Sequence, residues 1–324
     1  MGGLVALVLL VMTGCEGLLT NFAASSSIRI FSRAAPALSR FGDIELAEAA
    51  IPGSLGTLEG LMVVAPDSEA LHLTLARAYS SFAFGFMVDH MEQAQLEDNE
   101  ERAEHYRARA SAAFVRARTV GLEQMSAWER DDGGAEGHMR RGLEAWRTYL
   151  GQFRAEHAGQ MFWTAYSWAQ YIGINRDDVN ALADLPFVLA LAERVMALDH
   201  TYYDYAPHGL RAGLIGSAPQ QLGGRPDIAR QEFETAIAAT HRTNLVYLVM
   251  EARIVAVSLQ DRGLYRRLLE EVISAGDVNP ANRLGNQIAK RRARRYLGQI
   301  DDLFEPEGAG NSDTPAATPA PTAE

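Results

Sequence analysis

Eight histidines stand at positions 72, 90, 105, 138, 157, 200, 208 and 241, and no two have the i, i+4 spacing with an intervening glutamate that lets one helix hold zinc beside a general base. They are expected in solvent or in the core. Ser54 and Ser217 lack the flanking glycines of a nucleophile elbow, and no glycine-rich loop ends in Lys-Ser or Lys-Thr to cradle a phosphate. The run Leu222-Gly223-Gly224-Arg225-Pro226 reads as a turn into a helix that begins at Pro226. Asp177-Asp178 and Asp301-Asp302 lie where helices would start, so they are read as complementing the helix dipole rather than as metal ligands. The basic run Lys290-Arg291-Arg292-Ala293-Arg294-Arg295 would point in several directions from a helix, and it is expected as a solvated face with acidic neighbours. The chain is therefore expected to bind rather than to catalyse, with no catalytic residue, metal site or cofactor.

The residues best suited to binding are aromatic. Between Met161 and Asn175 two of the four tryptophans and two tyrosines fall on barely more than three helical turns. Rings on all sides of a helix imply burial all round, or burial on one side and an apolar cavity on the other. Trp163, Tyr166, Ser167, Trp168, Gln170, Tyr171 and Asn175 are the candidate lining of such a cavity, because an apolar pocket uses a few polar tips to orient its ligand. Plain core packing is the competing reading.

The elements that must carry these residues are helical. Leu71, Leu75, Tyr79, Phe82 and Phe86 recur at steps of four and three after a Pro66-Asp67-Ser68 start signal. A second helix from about Glu101 to Val120 places Tyr106, Ala110, Phe114 and Ala117 on one face and is expected to stop near Gly121. Further helices are expected at about 140–157, 160–173, 184–198, 204–215, 226–239, 244–260, 263–274 and 281–303. The β-branched cluster from Val246 to Val257 follows 3.6 residues per turn, not two. The fold class is all-α, with ten to twelve helices. Ala110-x3-Phe114-x2-Ala117 and Ala229-x3-Phe233-x2-Ala236 share a pattern of small residues around an aromatic, as in tetratricopeptide hairpins. The distance from Tyr79 to Ala110 exceeds a 34-residue repeat, so a first helix must be extended or a loop lengthened. Stacked hairpins of this kind form surfaces that usually bind.

Composition and termini set the compartment. The 324 residues carry 41 acidic against 30 basic side chains, a formal charge of -11, which excludes a cationic footprint for nucleic acid. A single cysteine, Cys15, excludes a disulfide framework within one chain. Leu4 to Met12 form an apolar run too short to span a bilayer, and Met12-Thr13-Gly14-Cys15 follows it like a bacterial lipobox. Met12 replaces the usual leucine, and the start Met1-Gly2-Gly3 lacks a basic region. Residues 1–14 are expected to be a signal peptide, Cys15 the lipid attachment site, 15–304 one helical domain, and 305–324 a disordered tail rich in Pro, Ala and Thr.

The stretch Phe162-Trp163-Thr164-Ala165-Tyr166-Ser167-Trp168 resembles the TatT component of TRAP (tripartite ATP-independent periplasmic) transporters. So do Asn175 with Ala181-Leu182-Ala183-Asp184-Leu185-Pro186, and Glu193-Arg194 ahead of Leu198-Asp199. The resemblance continues through Pro219 to Gly224, the helix of Ala229, Phe233, Ala236 and Ile237, and Asn286 with Ala289 to Arg294. It implies cryptic tetratricopeptide-like hairpins around an apolar central tunnel, a homotrimer, and docking to a periplasmic solute-binding protein. The implied cargo is a hydrophobic or amphipathic carboxylate. A tetratricopeptide-type scaffold lipoprotein that binds only proteins is the alternative.

Overall fold

The structure, a computed structural model, describes residues 28, 30, 37–129, 133–217 and 223–304. Cys15 and its lipobox, Pro219 to Leu222 and the tail from residue 305 lie outside the described residues. Every regular element among the described residues is helical, so the expected all-α class stands. The chain is divided more finely than ten to twelve helices because turns and π-helical segments interrupt longer runs.

Helix α1 (Ile44–Val64) leads to α2 (Glu69–Phe82), whose N-cap Ser68 accepts a hydrogen bond from the amide of Leu71. A π-helical turn at Ala83–Met87 carries α2 directly into α3 (Val88–Leu96). This is the extended first helix that the long Tyr79 to Ala110 spacing requires. Helix α4 (Glu100–Trp128) starts at the Asn99 cap and runs straight past Gly121, so the expected stop there is corrected. Gly121 instead marks a close helix approach. A Cβ built on it would lie 1.9 Å from the hydroxyl oxygen of Thr164 on α7 (Ala158–Ile174), which leaves no space for any other residue.

Between α4 and α7 lie the short α5 (Gly134–Arg140) and α6 (Leu143–Gly151), separated by Gly142 at φ 100°, which breaks the expected 140–157 helix. After α7 come α8 (Val179–Ala183), α9 (Leu185–Asp199), α10 (Tyr202–Gly216), α11 (Pro226–Ala239) and α12 (Leu245–Glu251). A second π turn at Ala252–Ala256 follows α12. Then α13 (Arg262–Ser274), α14 (Arg283–Gly298) and α15 (Ile300–Leu303) complete the chain. Asp178 caps α8, and Asp301 pairs with Arg262 at 2.5 Å in the first turn of α15. Successive long helices pair along the chain, α2 with α4, α4 with α7, α7 with α9, α10 with α11 and α13 with α14. The small-residue pattern falls where expected, with Ala110, Phe114, Ala117, Ala229, Phe233 and Ala236 all fully buried.

The last long helix returns to the first elements. The amide of Leu284 donates to the Ser39 carbonyl at 2.9 Å, and Arg283 donates to the Arg40 carbonyl at 3.2 Å. Leu284 and Ile288 of α14 belong to the apolar cluster of the first helices, whereas Ala289, Ala293 and Tyr296 belong to that of the last ones. The basic run sits on this helix, and it is not the solvated face expected. Lys290, Arg292 and Arg295 are buried, and only Arg294 is exposed. Asp89 of α3, itself buried, faces Arg291 at 2.8 Å, Arg295 at 2.9 Å and Arg292 at 3.4 Å. Glu92, one turn on, pairs with Arg295 and accepts the Tyr296 hydroxyl at 2.7 Å. The acidic neighbours were expected and are there; what places them in the interior is that α14 closes against α3. Burial alone would raise the Asp89 carboxyl, but the guanidinium groups of Arg292, Arg295 and Arg291 outweigh it and hold the group below its ordinary value.

Two outcomes follow from this packing. Gly121→Ala lowers the free energy of unfolding by about 1–3 kcal/mol, the usual cost of overpacking, and adding Thr164→Ala recovers part of the loss. An unchanged urea midpoint in the single variant would mean that α4 and α7 stand further apart. Asp89→Asn costs about 3–5 kcal/mol at pH 7, because it leaves buried guanidinium groups short of a counter-charge. Because folding depresses this carboxyl, its contribution is fully present above its ordinary value of 3.8 and is lost as pH falls below that. The wild type therefore loses stability on acidification in that range, and the variant loses less, as read by thermal melts between pH 2.5 and 7.

Candidate functional site

Helix α7 carries the aromatic stretch, and its two stripes face different neighbours. Thr164, Trp168, Tyr171 and Asn175 follow the i, i+4, i+7, i+11 row, while Trp163, Tyr166 and Gln170 follow the row beside it. On the first row, the Trp168 indole donates to Asp184 at 2.9 Å beneath the Arg118 guanidinium and meets Trp146 edge-on. The Tyr171 ring lies under the same guanidinium at 5.7 Å. Asn175 donates to the Ser111 hydroxyl at 2.9 Å and to the Tyr171 carbonyl at 2.8 Å. Ser167 is buried and donates back to the Thr164 carbonyl within its own helix. These side chains tie α7 to α4, α6 and the start of α9.

The second row faces a different set of rings. Trp163 is 5% exposed and donates from its indole to the Tyr202 hydroxyl at 3.2 Å. It meets Phe162, Tyr166 and Tyr203 edge-on at 5.1, 5.5 and 5.2 Å. Tyr166 meets Phe84 of the first π turn edge-on at 6.1 Å. Arg292 lies 4.2 Å above the other partner of that contact, the Phe84 ring, and donates to the Phe84 carbonyl at 2.5 Å. Gln170 is half-buried on the same side. The seven candidate residues are thus not brought to one wall: Trp163 and Tyr166 stand together, and Trp168, Tyr171 and Asn175 stand on the neighbouring stripe.

The partners supplied by other helices escape sequence reasoning. Tyr203, Asp204 and Tyr205 occupy the left-handed region in succession, at φ 49°, 58° and 62°. Each left-handed L-residue costs about 1–2 kcal/mol, so this run persists only where its surroundings fix it. The Tyr247 hydroxyl donates to the Asp204 carbonyl at 2.7 Å, and the Tyr205 amide donates to the Thr201 carbonyl at 3.2 Å. Behind the turn His208 bonds Glu232 at 2.5 Å and His200 at 3.3 Å, and Arg211 also pairs with Glu232. The turn presents Tyr203 with 48% of its surface accessible. Yet burial pushes the Tyr203 hydroxyl above its ordinary value, as it does for Tyr202, Tyr166 and Tyr247. Tyr203 is thus an accessible ring set edge-on against the Trp163 indole. Among the described residues neither the Tyr203 nor the Tyr166 hydroxyl makes a hydrogen bond. The only sequence sign of this group was three tyrosines within Tyr202-Tyr203-Asp204-Tyr205.

Tyrosine hydroxyls raised by burial and rings meeting edge-on make this part of the molecule a site of apolar contact between helices. A family model of the TRAP transporter T-component matches residues 42–304. The chain belongs to that family. No curated protein matches it as a relative. Membership in the T-component family carries an accessory role in a TRAP transporter, and the matched span contains every ring described above. Among the described residues no helix is long and apolar enough to cross a membrane.

The left-handed turn gives a local test. Tyr247→Phe removes the donor to the Asp204 carbonyl and costs about 1 kcal/mol of stability. Amide exchange at Tyr205 then rises more than exchange within α7, and uniform acceleration at both sites would show that the turn is held by other means.

Proposed function

We propose that the chain is a non-enzymatic accessory component of a TRAP transporter, held to a membrane on the periplasmic side by a lipid on Cys15. In this reading it docks a solute-binding protein and passes a hydrophobic or amphipathic carboxylate through an aromatic interior. Residues 15–304 act as one unit, since α14 contributes to both apolar clusters. The homotrimer implied by the family resemblance belongs to the same proposal. Two acyl chains on one cysteine would make attachment effectively permanent, at about 0.8 kcal/mol per buried CH2.

The observation that supports this reading is the cluster of rings formed by Trp163, Tyr166, Phe84, Tyr202 and Tyr203, of which Tyr203 is accessible. An apolar ligand gains from such a cluster because rings that already face one another lose little freedom when it binds. Ligand contact is assigned to Trp163 and Tyr166 on α7, with Phe84, Tyr202 and Tyr203 opposite. Trp168, Ser167, Tyr171 and Asn175 support that wall from behind.

The purified mature chain is expected to take up a fluorescent fatty-acid probe. Trp163→Phe, which keeps a ring at this 5% exposed position, weakens uptake while shifting the urea midpoint little. Trp168→Ala does the reverse, because it empties a packed site beside Asp184 at a cost of about 3–5 kcal/mol. Absence of uptake by the folded wild type would instead favour the protein-only scaffold, for which the paired hairpins are sufficient.

A further inference from the structure

Two histidines join the ends of the left-handed turn. His200 is the C-cap of α9 and is exposed, whereas His208 lies on α10 beyond the turn and is buried. His200 Nδ1 stands 3.3 Å from His208 Nε2. Between them in the chain lie the three left-handed residues Tyr203, Asp204 and Tyr205. Such a run needs support from its surroundings, and Pro207 has no amide proton to offer it. The Tyr205 ring meets both imidazoles, with centroids 6.1 Å from His200 and 5.9 Å from His208.

The other nitrogen of His208 decides how this bridge works. His208 Nδ1 stands 2.5 Å from Glu232 Oε2 on α11, so a proton lies between them and Nδ1 is the donor. On a neutral His208 the Nε2 atom is then bare and accepts from His200 Nδ1–H. On a charged His208 the Nε2–H group donates to a bare His200 Nδ1. The bridge therefore stands with neither or one of the two rings charged. With both charged, N–H meets N–H between two cations, and the bridge must open. The surrounding charges are few. Arg211 of α10 pairs with Glu232, and Asp199 of α9 accepts from the Thr201 amide at 3.0 Å and its hydroxyl at 2.7 Å. Asp204, in the turn, is exposed. From α12 the Tyr247 hydroxyl reaches the Asp204 carbonyl, and α7 has no charged residue. Among the described residues no charged side chain other than Glu232 bonds either imidazole.

We propose that the His200 and His208 pair is a proton-operated latch on the Tyr203 turn, shut while at most one of the two rings is charged and open when both are. Glu232 holds His208 in place, so the ring that swings away is the exposed His200. The turn then loses the contact between its two ends. Tyr203, set edge-on against the Trp163 indole at 5.2 Å, is no longer fixed there. Histidines take up their charge between about pH 5 and 8, so the latch opens on mild acidification, before the Asp89 carboxyl is protonated. No ligand is needed for this step.

Hydrogen exchange at the Tyr205 amide, which donates to the Thr201 carbonyl at 3.2 Å, reads the turn directly. Between pH 7.5 and pH 5 the wild type is expected to lose about fivefold or more of the protection at this amide, each rate being taken relative to the intrinsic rate at that pH, while the amides of α7 keep theirs. His200→Gln offers a side-chain amide to His208 Nε2 and takes up no charge, so its Tyr205 protection is the same at both pH values. Far-ultraviolet circular dichroism reports whether the variant is folded. In the wild type, spectra of 15N-labelled histidine give the pH at which the second ring becomes charged, and the loss of protection is expected at that same pH. Unchanged Tyr205 protection in the wild type, or an equal loss in His200→Gln, overturns the latch. So does a loss of protection at a pH where the second ring is still neutral, a comparison made on the wild type alone and independent of how the variant folds.

Discussion

The structure depends on a charge network that joins residues two hundred positions apart. Asp89 and Glu92 on α3 meet Arg291, Arg292 and Arg295 on α14, in the interior rather than in water. A series of paired helices without that contact would be free to end as an open array. With it, the last long helix lies against the first ones. Burying such groups is expensive, and a buried ion pair often contributes little net stability against an apolar substitute. Its value is geometric, because five charged groups with fixed partners admit one register of α14 on α3. The Arg292 side chain then reaches the Phe84 carbonyl, so the closure and the aromatic wall share a residue.

The interior also depends on how closely the helices approach elsewhere. Gly121 lets α4 and α7 touch at Thr164, and Gly216 leaves no room for a Cβ between Ala229 and Ile254. Contacts this close hold α7 against α4 and α10 against α11. The left-handed run at Tyr203 to Tyr205 sets Tyr203 edge-on against the Trp163 indole. Backbone strain of that kind concentrates where a fold holds a surface for a ligand.

Much of the fold was legible because helix periodicity is a local property. Leu71, Leu75 and Phe86, or Ala229, Phe233 and Ala236, repeat at the spacing that buries one face, and they are buried. The starts were legible too, at Ser68 and at Pro226. Several ends were not. The pairs α3–α4, α11–α12 and the π turn with α13 are joined through left-handed Asp98, His241 and Gln260, which are not glycines. In each, an amide bonds the carbonyl five residues earlier, as from Asn99 to Ala94. Gly121 misled in the other direction, because its role is contact with a helix forty residues away. The basic run of α14 was misread for the same reason: its environment is set by Asp89, which no spacing within the run could reveal. For the candidate site, the aromatic stretch was visible as composition, and its division into two stripes follows from the i, i+4, i+7 rows. Phe84, Tyr203 and Tyr247 join it only through tertiary closure.

The central claim is that these helices enclose an interior that an amphipathic molecule can enter. Anomalous diffraction from crystals grown with a fatty acid brominated near the end of its chain addresses it directly. The account predicts a bromine peak inside the ring of helices, beside Trp163, Tyr166 and Phe84. A peak confined to the outer surface, with side chains filling the space between Tyr166 and Tyr203, would contradict it.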